Sequence, residues 1–222
     1  MNPIYEDNHI IVAKKEVNIL SQADNTNDKD MLSIIKGYIK EKYNKPGNVY
    51  LGLVHRLDRP VGGCMVFAKT SKAASRLSEQ VRNRSFKKTY LAVIRGALEG
   101  IDGTLKDYLY KDTKTNMSSV VRKNFKGAKE AILDYEVLAH ENNLSLVKIK
   151  LKTGRPHQIR VQFASRGNAL YGDQRYGVDV NKHGQQIALW SYEIGITHPT
   201  LKEDMRFTCM PPDEYPWNLF NI

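Results

Sequence analysis

The sequence predicts an α+β fold in which helices flank a mixed, mostly antiparallel sheet. Short apolar segments rich in β-branched residues recur along the chain and are typical of buried strands. Other segments have apolar residues at helical spacing behind a capping residue or a proline. Because strands and helices alternate irregularly, the pattern favours α+β over a regular series of β-α-β units.

The predicted strands are spread along most of the chain, and the last two pair across the turn Glu141-Asn142-Asn143. They cover residues 10–13, 49–54, 64–68, 90–94, 131–138 and 144–151. The polar and basic residues 100–129 are interpreted as a hairpin-like excursion from the core. The cations near its end are Arg122, Lys123, Lys126 and Lys129.

The first two predicted helices are recognised by their caps. Asp28 or Asp30 accepts the first orphan N–H groups of a helix that begins near Met31. Thr70 or Ser71 does the same for a second helix. The polar residues 21–30 ahead of the first helix are expected to form a loop.

The composition indicates a basic globular protein. Lys and Arg number 34 against 24 for Asp and Glu, which gives a formal net charge of +10. Such a field attracts polyanions, of which nucleic acid is the commonest in the cytoplasm. No apolar run approaches the roughly 20 residues that cross a bilayer, so no membrane partner is expected. The simplest expectation is a cytoplasmic monomer of one domain over residues 1–222.

The sequence contains no motif that is typical of a metal site or a cofactor site. Cys64 and Cys209 are too few and too far apart for a disulfide framework or a zinc site, and are expected to be reduced thiols. No metal-ligand spacing and no glycine-rich phosphate loop occur. The sequence therefore predicts neither a metal nor a cofactor.

The segment HRLDRPVGG, residues 55–63, is a candidate reactive loop. It holds one carboxylate, Asp58, between Arg56 and Arg59, in a turn-forming stretch between two predicted strands. The flanking positive charge favours an ionised carboxylate, which on a rigid loop can act as a nucleophile or stabilise a developing cation. Alone, the segment would also suit a surface salt-bridge loop.

A second basic segment, TGRPHQIR at residues 153–160, opens the third predicted helix. Pro156 suits the first turn and Gly167 the C-terminal end. Arg155 and Arg160 could each pair with a carboxylate or hold a phosphate, because a guanidinium suits both. An isolated histidine such as His157 is more often a structural hydrogen-bonding group than a base.

These segments resemble the RluA-type pseudouridine synthases, whose pattern is His-Arg-Leu-Asp-Arg, two residues, then Ser-Gly or a close variant. The resemblance continues at Lys88-Thr89-Tyr90, at residues 153–160, and at Tyr171-Gly172-Asp173 with Tyr176-Gly177. The blocks follow the family's order over nearly the whole chain. The resemblance implies a pseudouridine synthase-like catalytic domain with an active-site cleft across its sheet.

The resemblance implies a role for each matched residue. Asp58 would be the catalytic aspartate, Arg56 the arginine that helps displace the target nucleotide, and Tyr90 the ring that stacks on the flipped uracil. Arg160 is the first choice to pair with the carboxylate, and Arg155 is the second choice. Leu189 would pack against the base. Arg59, Arg155 and His157 are counted with Arg56 and Leu189 among the substrate-binding residues.

The implied reaction needs no oxidant and no energy source. It breaks the bond from ribose C1′ to uracil N1, rotates the base, and joins C5 to C1′. The target base must leave its stack to be turned, and an aromatic ring such as Tyr90 suits its reception. Attack at C1′, attack on the uracil ring and a glycal route all remain open for Asp58. Tyr90 is a second candidate base.

The chain departs from the family pattern at three places. Val61-Gly62 stands where the family has a small polar pair, and Trp190-Ser191 follows Leu189 where it has His-Ala. Lys14-Lys15-Glu16-Val17 stands where it has Lys-Pro-x-Gly. Many members also carry a small RNA-binding domain ahead of the catalytic one. Because the pattern here starts by Ile4, no such domain is expected, and the catalytic domain with residues 122–129 would grip the RNA.

Three other functions are alternatives to an RNA pseudouridine synthase. A catalytically inactive RNA-binding protein on the same fold has no need of Asp58, Tyr90 and Arg160. A nucleoside hydrolase or glycosylase usually needs two cooperating carboxylates, and one is found in a plausible site. A basic scaffold protein explains the charge and not the motifs. The sequence favours the synthase, acting on ribosomal or transfer RNA, with the inactive binder second.

Overall fold

A computed structural model describes all 222 residues of the chain. Its strands are β1 (Tyr5–Glu6), β2 (Ile10–Lys15), β3 (Gly52–Leu53), β4 (Gly62–Ala68), β5 (Lys87–Arg95), β6 (Asp102–Asp112), β7 (Met117–Val121), β8 (Lys129–Glu141), β9 (Leu144–Leu151), β10 (Leu189–Thr197) and β11 (Asp204–Thr208). Its α-helices are α1 (Met31–Lys42), α2 (Ser71–Arg82) and α3 (Gln158–Ala164), and Trp217–Leu219 forms a 3-10 turn. No helix has the length and apolar character needed to cross a membrane.

The chain forms two compact units. Unit 1 comprises Met1–Lys88 and Ser191–Pro211, and unit 2 comprises Thr89–Trp190 and Pro212–Ile222. Antiparallel strand pairing in both units, together with three helices, confirms the predicted α+β class. That residues 1–222 act as a single catalytic domain stays a prediction.

In unit 1, the sheet is built around two apolar strands. β2 pairs antiparallel with β1 and with β4, β4 also pairs with β3, and β10 pairs with β11. Every residue of β4 is buried, as its apolar sequence predicts. The helix caps are confirmed: Asp30 accepts from the Ser33 N–H at 3.1 Å, and Thr70 accepts from the Ala73 N–H at 3.1 Å.

The predicted strand at residues 49–54 is much shorter in the structure, where only Gly52–Leu53 pairs. Leu51 is buried, but Tyr50 is half exposed and Val49 is not buried, so the buried part of the segment begins only at Leu51. The apolar pattern therefore predicts the strand correctly. The length of the strand depends on the residues that the segment packs against.

In unit 2, the sheet has the strand order β5-β9-β8-β6-β7, with each neighbouring pair antiparallel. The predicted hairpin of β8 and β9 is confirmed, and its turn residues Asn142 and Asn143 both have positive φ. Residues 100–129 do contain a hairpin, β6 and β7. They are no excursion, however, because β6 pairs with β8 and buries Leu105 and Leu109.

The third helix is shorter than predicted. Pro156 precedes α3 and does not lie in its first turn, because His157 adopts a left-handed conformation ahead of Gln158. At the other end the regular helix stops at Ala164, and Gly167 closes it as predicted: its φ is +82°, its N–H donates to the Ala164 carbonyl at 3.0 Å, and the Asn168 N–H donates to the Phe163 carbonyl at 3.1 Å. Ile159 and Phe163 are both buried, as their spacing predicts.

Candidate functional site

The loop that carries Asp58 lies between β3 and β4 in unit 1, and its backbone is anchored by Ser21. The Leu57 N–H donates to Ser21 Oγ at 3.1 Å, while the Ser21 hydroxyl donates to the Leu57 carbonyl at 2.8 Å. The Val61 N–H then donates to the Asp58 carbonyl at 3.0 Å and closes a turn. Since Leu57 and Ser21 are buried, the residue before Asp58 is fixed on both of its peptide groups.

Lys15 holds the other side of this loop, and the sequence did not single it out. Its side chain is fully buried, and Nζ donates to the carbonyls of Arg59 at 2.9 Å and Glu16 at 3.1 Å. Burial lowers the pKa of Lys15 to about 8, although attraction to Asp58 and Glu16 opposes that shift. The turn after Asp58 is therefore tied to a buried amine.

His55, the first residue of the motif, is a neutral structural group. Its Nε2 accepts from the Val66 N–H at 3.0 Å, and its ring packs on Phe86 with centroids 5.1 Å apart. Burial, helped by the charge of Lys88, lowers the pKa of His55 to about 3. An accepting Nε2 puts the proton on Nδ1, which is buried and has no hydrogen-bond partner.

The two arginines of the loop differ in their surroundings. Arg56 is exposed, whereas Arg59 Nη1 lies 2.9 Å from Asp28 Oδ2 in a salt bridge that is nearly half exposed. The side chain of Asp58 is half buried. That Arg56 and Arg59 bind substrate stays a prediction.

Gly63 explains why the motif ends in glycine. It has a φ of +119°, and a Cβ atom there would lie 2.6 Å from the backbone nitrogen of Ser191. The Ser191 hydroxyl also donates to the Cys64 carbonyl at 3.0 Å. The close approach of β4 and β10 thus excludes any side chain at Gly63, and Ser191 adds a hydrogen bond where the family has alanine.

In unit 2, Gln158 and Thr153 fix the start of α3. Gln158 Oε1 accepts from the Thr153 hydroxyl at 2.8 Å and from the Arg155 N–H at 3.0 Å. Gln158 Nε2 donates to the Ile132 carbonyl at 3.1 Å, and the Ile132 N–H donates to Thr153 Oγ1 at 2.8 Å. The turn before the helix is therefore attached to β8 through the backbone N–H and the backbone carbonyl of Ile132.

Arg155 and His157 make contacts within unit 2. Arg155 Nε donates to the Glu130 carbonyl at 2.8 Å. His157 Nδ1 lies 2.6 Å from the Tyr176 hydroxyl, which accepts from the Ser118 N–H at 2.8 Å. These contacts give both residues structural roles, and their predicted part in substrate binding stays a prediction.

Arg160 is part of a buried ion pair with Asp173. Its Nε donates to Oδ2 at 2.8 Å and its Nη2 to Oδ1 at 2.7 Å, and both side chains are almost fully buried. The guanidinium carbon lies 5.2 Å from the ring centroid of Tyr176. This two-point pairing fixes the plane of the guanidinium and the direction of its remaining N–H groups.

Asp173 is further held by the backbone that follows it. Its Oδ1 accepts from the N–H groups of Arg175 at 2.9 Å and Tyr176 at 3.1 Å. Burial would raise the pKa of Asp173, but Arg160 and these two N–H groups outweigh it and keep the pKa below its ordinary value. Asp173 lies in the matched block Tyr171-Gly172-Asp173, so a sequence signal existed, although no role was assigned to it.

Tyr90 and Leu189 are both buried in unit 2. Tyr90 lies on β5 opposite Ile149 of β9, and Leu189 is the first residue of β10. Buried apolar side chains suit a core role for each, and contact with a base stays a prediction. No group of three or more His, Cys, Asp or Glu side chains could hold a metal ion.

Comparisons with known proteins agree on one family. The family described as RNA pseudouridylate synthase matches residues 9–165. An uncharacterized RNA pseudouridine synthase of Aquifex aeolicus is 33% identical over 229 aligned residues, which cover 97% of this chain and 71% of that protein. A ribosomal large subunit pseudouridine synthase D of Borreliella burgdorferi is 31% identical, over 87% of this chain and 60% of that protein.

The fold agrees with solved structures. The structure named human RNA pseudouridylate synthase domain containing 4 superposes with a TM-score of 0.79 at 20% identity, covering 95% of this chain and 88% of that one. At this identity the likeness concerns the fold alone. It confirms the predicted pseudouridine synthase-like architecture.

Proposed function

Because this chain belongs to the RNA pseudouridylate synthase family, we propose that it isomerises uridine in RNA with Asp58 as its essential carboxylate. The chain is an isomerase that converts uridine to pseudouridine in RNA. The choice of Asp58, the roles of the other residues and the identity of the RNA are the parts proposed here.

The observation that carries the choice of Asp58 is the anchoring of its loop. Ser21 binds both peptide groups of Leu57, and Lys15 binds the Arg59 carbonyl, so the backbone is held on either side of Asp58. A carboxylate on so constrained a backbone keeps its direction through the reaction, which a nucleophile or a cation-stabilising group requires. The half-buried position of the Asp58 side chain agrees with access to a substrate.

In the proposed reaction, the C1′–N1 bond breaks, the uracil turns, and C5 bonds to C1′. C5 then gives up its proton and N1 gains one, so the composition of the nucleotide does not change. Asp58 attacks C1′, attacks the uracil ring or assists a glycal route, and Tyr90 receives the flipped base by stacking. Arg56 displaces the target nucleotide from its helix, and Leu189 packs against the base.

Arg160 is proposed to pair with the Asp58 carboxylate. Support comes from the bidentate attachment of Arg160 to Asp173, which fixes the orientation of the guanidinium. Arg155 is the weaker candidate because one hydrogen bond, from its Nε to the Glu130 carbonyl, orients its guanidinium less firmly. Arg59, Arg155 and His157 complete the proposed substrate-binding group.

The proposed substrate is ribosomal or transfer RNA, bound by a monomer in the cytoplasm without metal or cofactor. A relative named for the ribosomal large subunit supports the first substrate. The net charge of +10 supports a polyanionic partner and a marked salt dependence of binding. Two buried free thiols, Cys64 and Cys209, agree with a reducing compartment.

The test compares the parent chain with Asp58→Asn on cellular RNA that lacks pseudouridine, in the presence of a chelator. Chemical mapping with sequencing is expected to reveal new pseudouridines with the parent and none with the variant. Asn keeps the shape of the side chain and removes its charge, so equal thermal unfolding of the two proteins controls for folding. Modification that persists in Asp58→Asn would contradict the assignment.

The inactive RNA-binding protein is the alternative that this test separates. It predicts that neither protein modifies RNA and that both bind it equally well. New pseudouridines made by the parent alone would exclude it, whichever RNA carries them.

A further inference from the structure

We propose that the turn between β7 and β8 stacks an unpaired base of the substrate RNA on the ring of Phe125, outside the catalytic centre. This surface, residues 122–129, is called the Phe125 platform. The inference rests on the proposed function in one respect, that the partner is RNA. It adds a binding site that none of the matched sequence blocks contains.

The charges of the platform are exposed and have no acidic partner. Within residues 122–129 there is no Asp or Glu. The nearest acidic residue in sequence, Glu130, forms its salt bridge with Lys106 at 3.3 Å. None of the four cations of the platform makes a salt bridge; they are Arg122, Lys123, Lys126 and Lys129. Unpaired cations at such density repel one another, and a polyanion relieves that repulsion.

The aromatic ring of the platform is exposed and also well supported. Phe125 is 49% exposed, and its ring packs against Tyr110 with centroids 5.0 Å apart and planes at 63°. In this arrangement Tyr110 supports one side of the ring and leaves much of it open to solvent. Proteins that bind single-stranded nucleic acid combine aromatic rings with positive charge, so it is the position of this exposed ring among cations that indicates a stacking surface.

The backbone holds Phe125 in this position before any ligand arrives. The Phe125 N–H donates to the Arg122 carbonyl and the Ala128 N–H donates to the Phe125 carbonyl, both at 3.0 Å. Gly127 adopts a φ of +86°, and a Cβ there would lie 3.4 Å from the Tyr110 ring. Two consecutive turns therefore present the ring without further ordering, which favours binding.

The combination of groups selects the class of ligand. Cations grip phosphates without regard to sequence, and every nucleotide base has a face that can stack on an aromatic ring. A base paired within a duplex does not offer that face, so the platform requires an unpaired nucleotide. We therefore infer that the substrate has a single-stranded loop or bulge beyond the target uridine.

A second exposed aromatic in unit 2 provides a matched control. Tyr215 is 56% exposed and packs edge-on against Tyr171, with centroids 5.4 Å apart. Its neighbours in sequence are Asp213 and Glu214, so it has similar ring geometry in acidic surroundings. Tyr215→Ala is therefore expected to leave RNA binding unchanged.

The experiment measures binding of a fluorescein-labelled RNA hairpin with a uridine-rich loop, and of a blunt duplex with the same stem, by anisotropy. Phe125→Ala is expected to raise the hairpin Kd by about 5- to 30-fold, as loss of one stacked base does. Phe125→Trp should bind like the parent, and the duplex Kd should change less than about twofold. Replacing the four cations with Ala should flatten the dependence of log Kd on log salt, whereas Phe125→Ala should not.

Hairpin binding by Phe125→Ala that equals the parent's would overturn the proposal, and an acidic protein would then be the better partner class. Equal losses in Tyr215→Ala, or on the duplex, would overturn it as well, and so would a parent that binds no hairpin at low salt. If Phe125→Ala unfolds, Phe125→Leu replaces it, because leucine keeps the apolar contact and cannot stack.

The outcome is separate from that of the proposed function. A parent that makes no pseudouridine while its hairpin binding depends on Phe125 would refute the catalytic proposal and leave the platform. A parent that makes pseudouridine, but whose hairpin binding does not depend on Phe125, would support the catalytic proposal and refute the platform.

Discussion

The loop that carries Asp58 and the helix that carries Arg160 are stabilised in opposite ways. In the loop, side chains from elsewhere in unit 1 bind the backbone, as Ser21 and Lys15 do. In the helix, the Arg160 side chain itself is held, by two hydrogen bonds to the buried carboxylate of Asp173. The loop is held by hydrogen bonds from side chains to its backbone, whereas the Arg160 guanidinium is held by a two-point ion pair.

The difference predicts how each region tolerates change. A neutral hydrogen bond contributes about 1 kcal/mol, and the loss of one leaves the others in place. A buried ion pair contributes little net stability, but removal of one partner leaves a buried charge without compensation. We therefore expect one substitution in the Arg160–Asp173 pair to cause a large loss of stability. Each substitution in the Asp58 loop should cause a smaller loss.

The largest effect is expected for Asp173→Asn. It keeps the size of the side chain and leaves the Arg160 charge buried, so it should lower the free energy of unfolding by about 3–5 kcal/mol. The measurement is urea denaturation followed by circular dichroism. The control is Asp134→Asn, since its salt bridge with Lys152 is exposed and should contribute at most about 1 kcal/mol. Similar losses in the two variants would show that burial does not make the Arg160–Asp173 pair more sensitive to the loss of one partner.

A smaller loss is expected for Ser21→Ala in the Asp58 loop. The variant leaves the buried N–H and carbonyl of Leu57 without their partner, which should lower stability by about 1–3 kcal/mol. Pseudouridine formation should fall further than binding of RNA if the loop carries the reactive carboxylate, as proposed. The exposed Ser85→Ala should change stability by less than about 0.5 kcal/mol. A Ser21→Ala protein with the parent's stability and rate would show that the loop is held by other means.

At pH 7 the smallest effect is that of His55 ionisation, because it develops only as the pH falls below 6.5. Its folded-state pKa of about 3 lies below the ordinary value of 6.5, so between these values the unfolded chain binds a proton that the folded chain does not. Stability should therefore fall as the pH drops from 6.5 toward 3, by up to about 1.4 kcal/mol per pH unit from this group. In His55→Gln that contribution disappears, and urea denaturation between pH 7 and about pH 4 should give a flatter curve. Parallel curves would mean that His55 is charged in the folded protein.

Local patterns in the sequence were reliable where neighbouring residues alone decide the structure. Asp30 and Thr70 cap helices as expected, because an N-cap depends on the first three residues that follow it. The apolar run of β4 and the hairpin of β8 and β9 were predicted for the same reason. The start of α3 was wrong because the left-handed conformation of His157 lies just behind Pro156, and a histidine seldom signals that conformation.

The sequence by itself determined the α+β class, the basic charge, and the motif blocks that carry Asp58, Tyr90 and Arg160. Only the tertiary structure decided that Lys15 binds the Arg59 carbonyl, that Arg160 is paired with Asp173, and that β6 joins the sheet of unit 2. Propensity, capping and periodicity act over a few residues and can be recognised in the chain. Contacts between residues far apart in sequence depend on which segments the fold brings together, and a pattern over a few residues does not specify the partner.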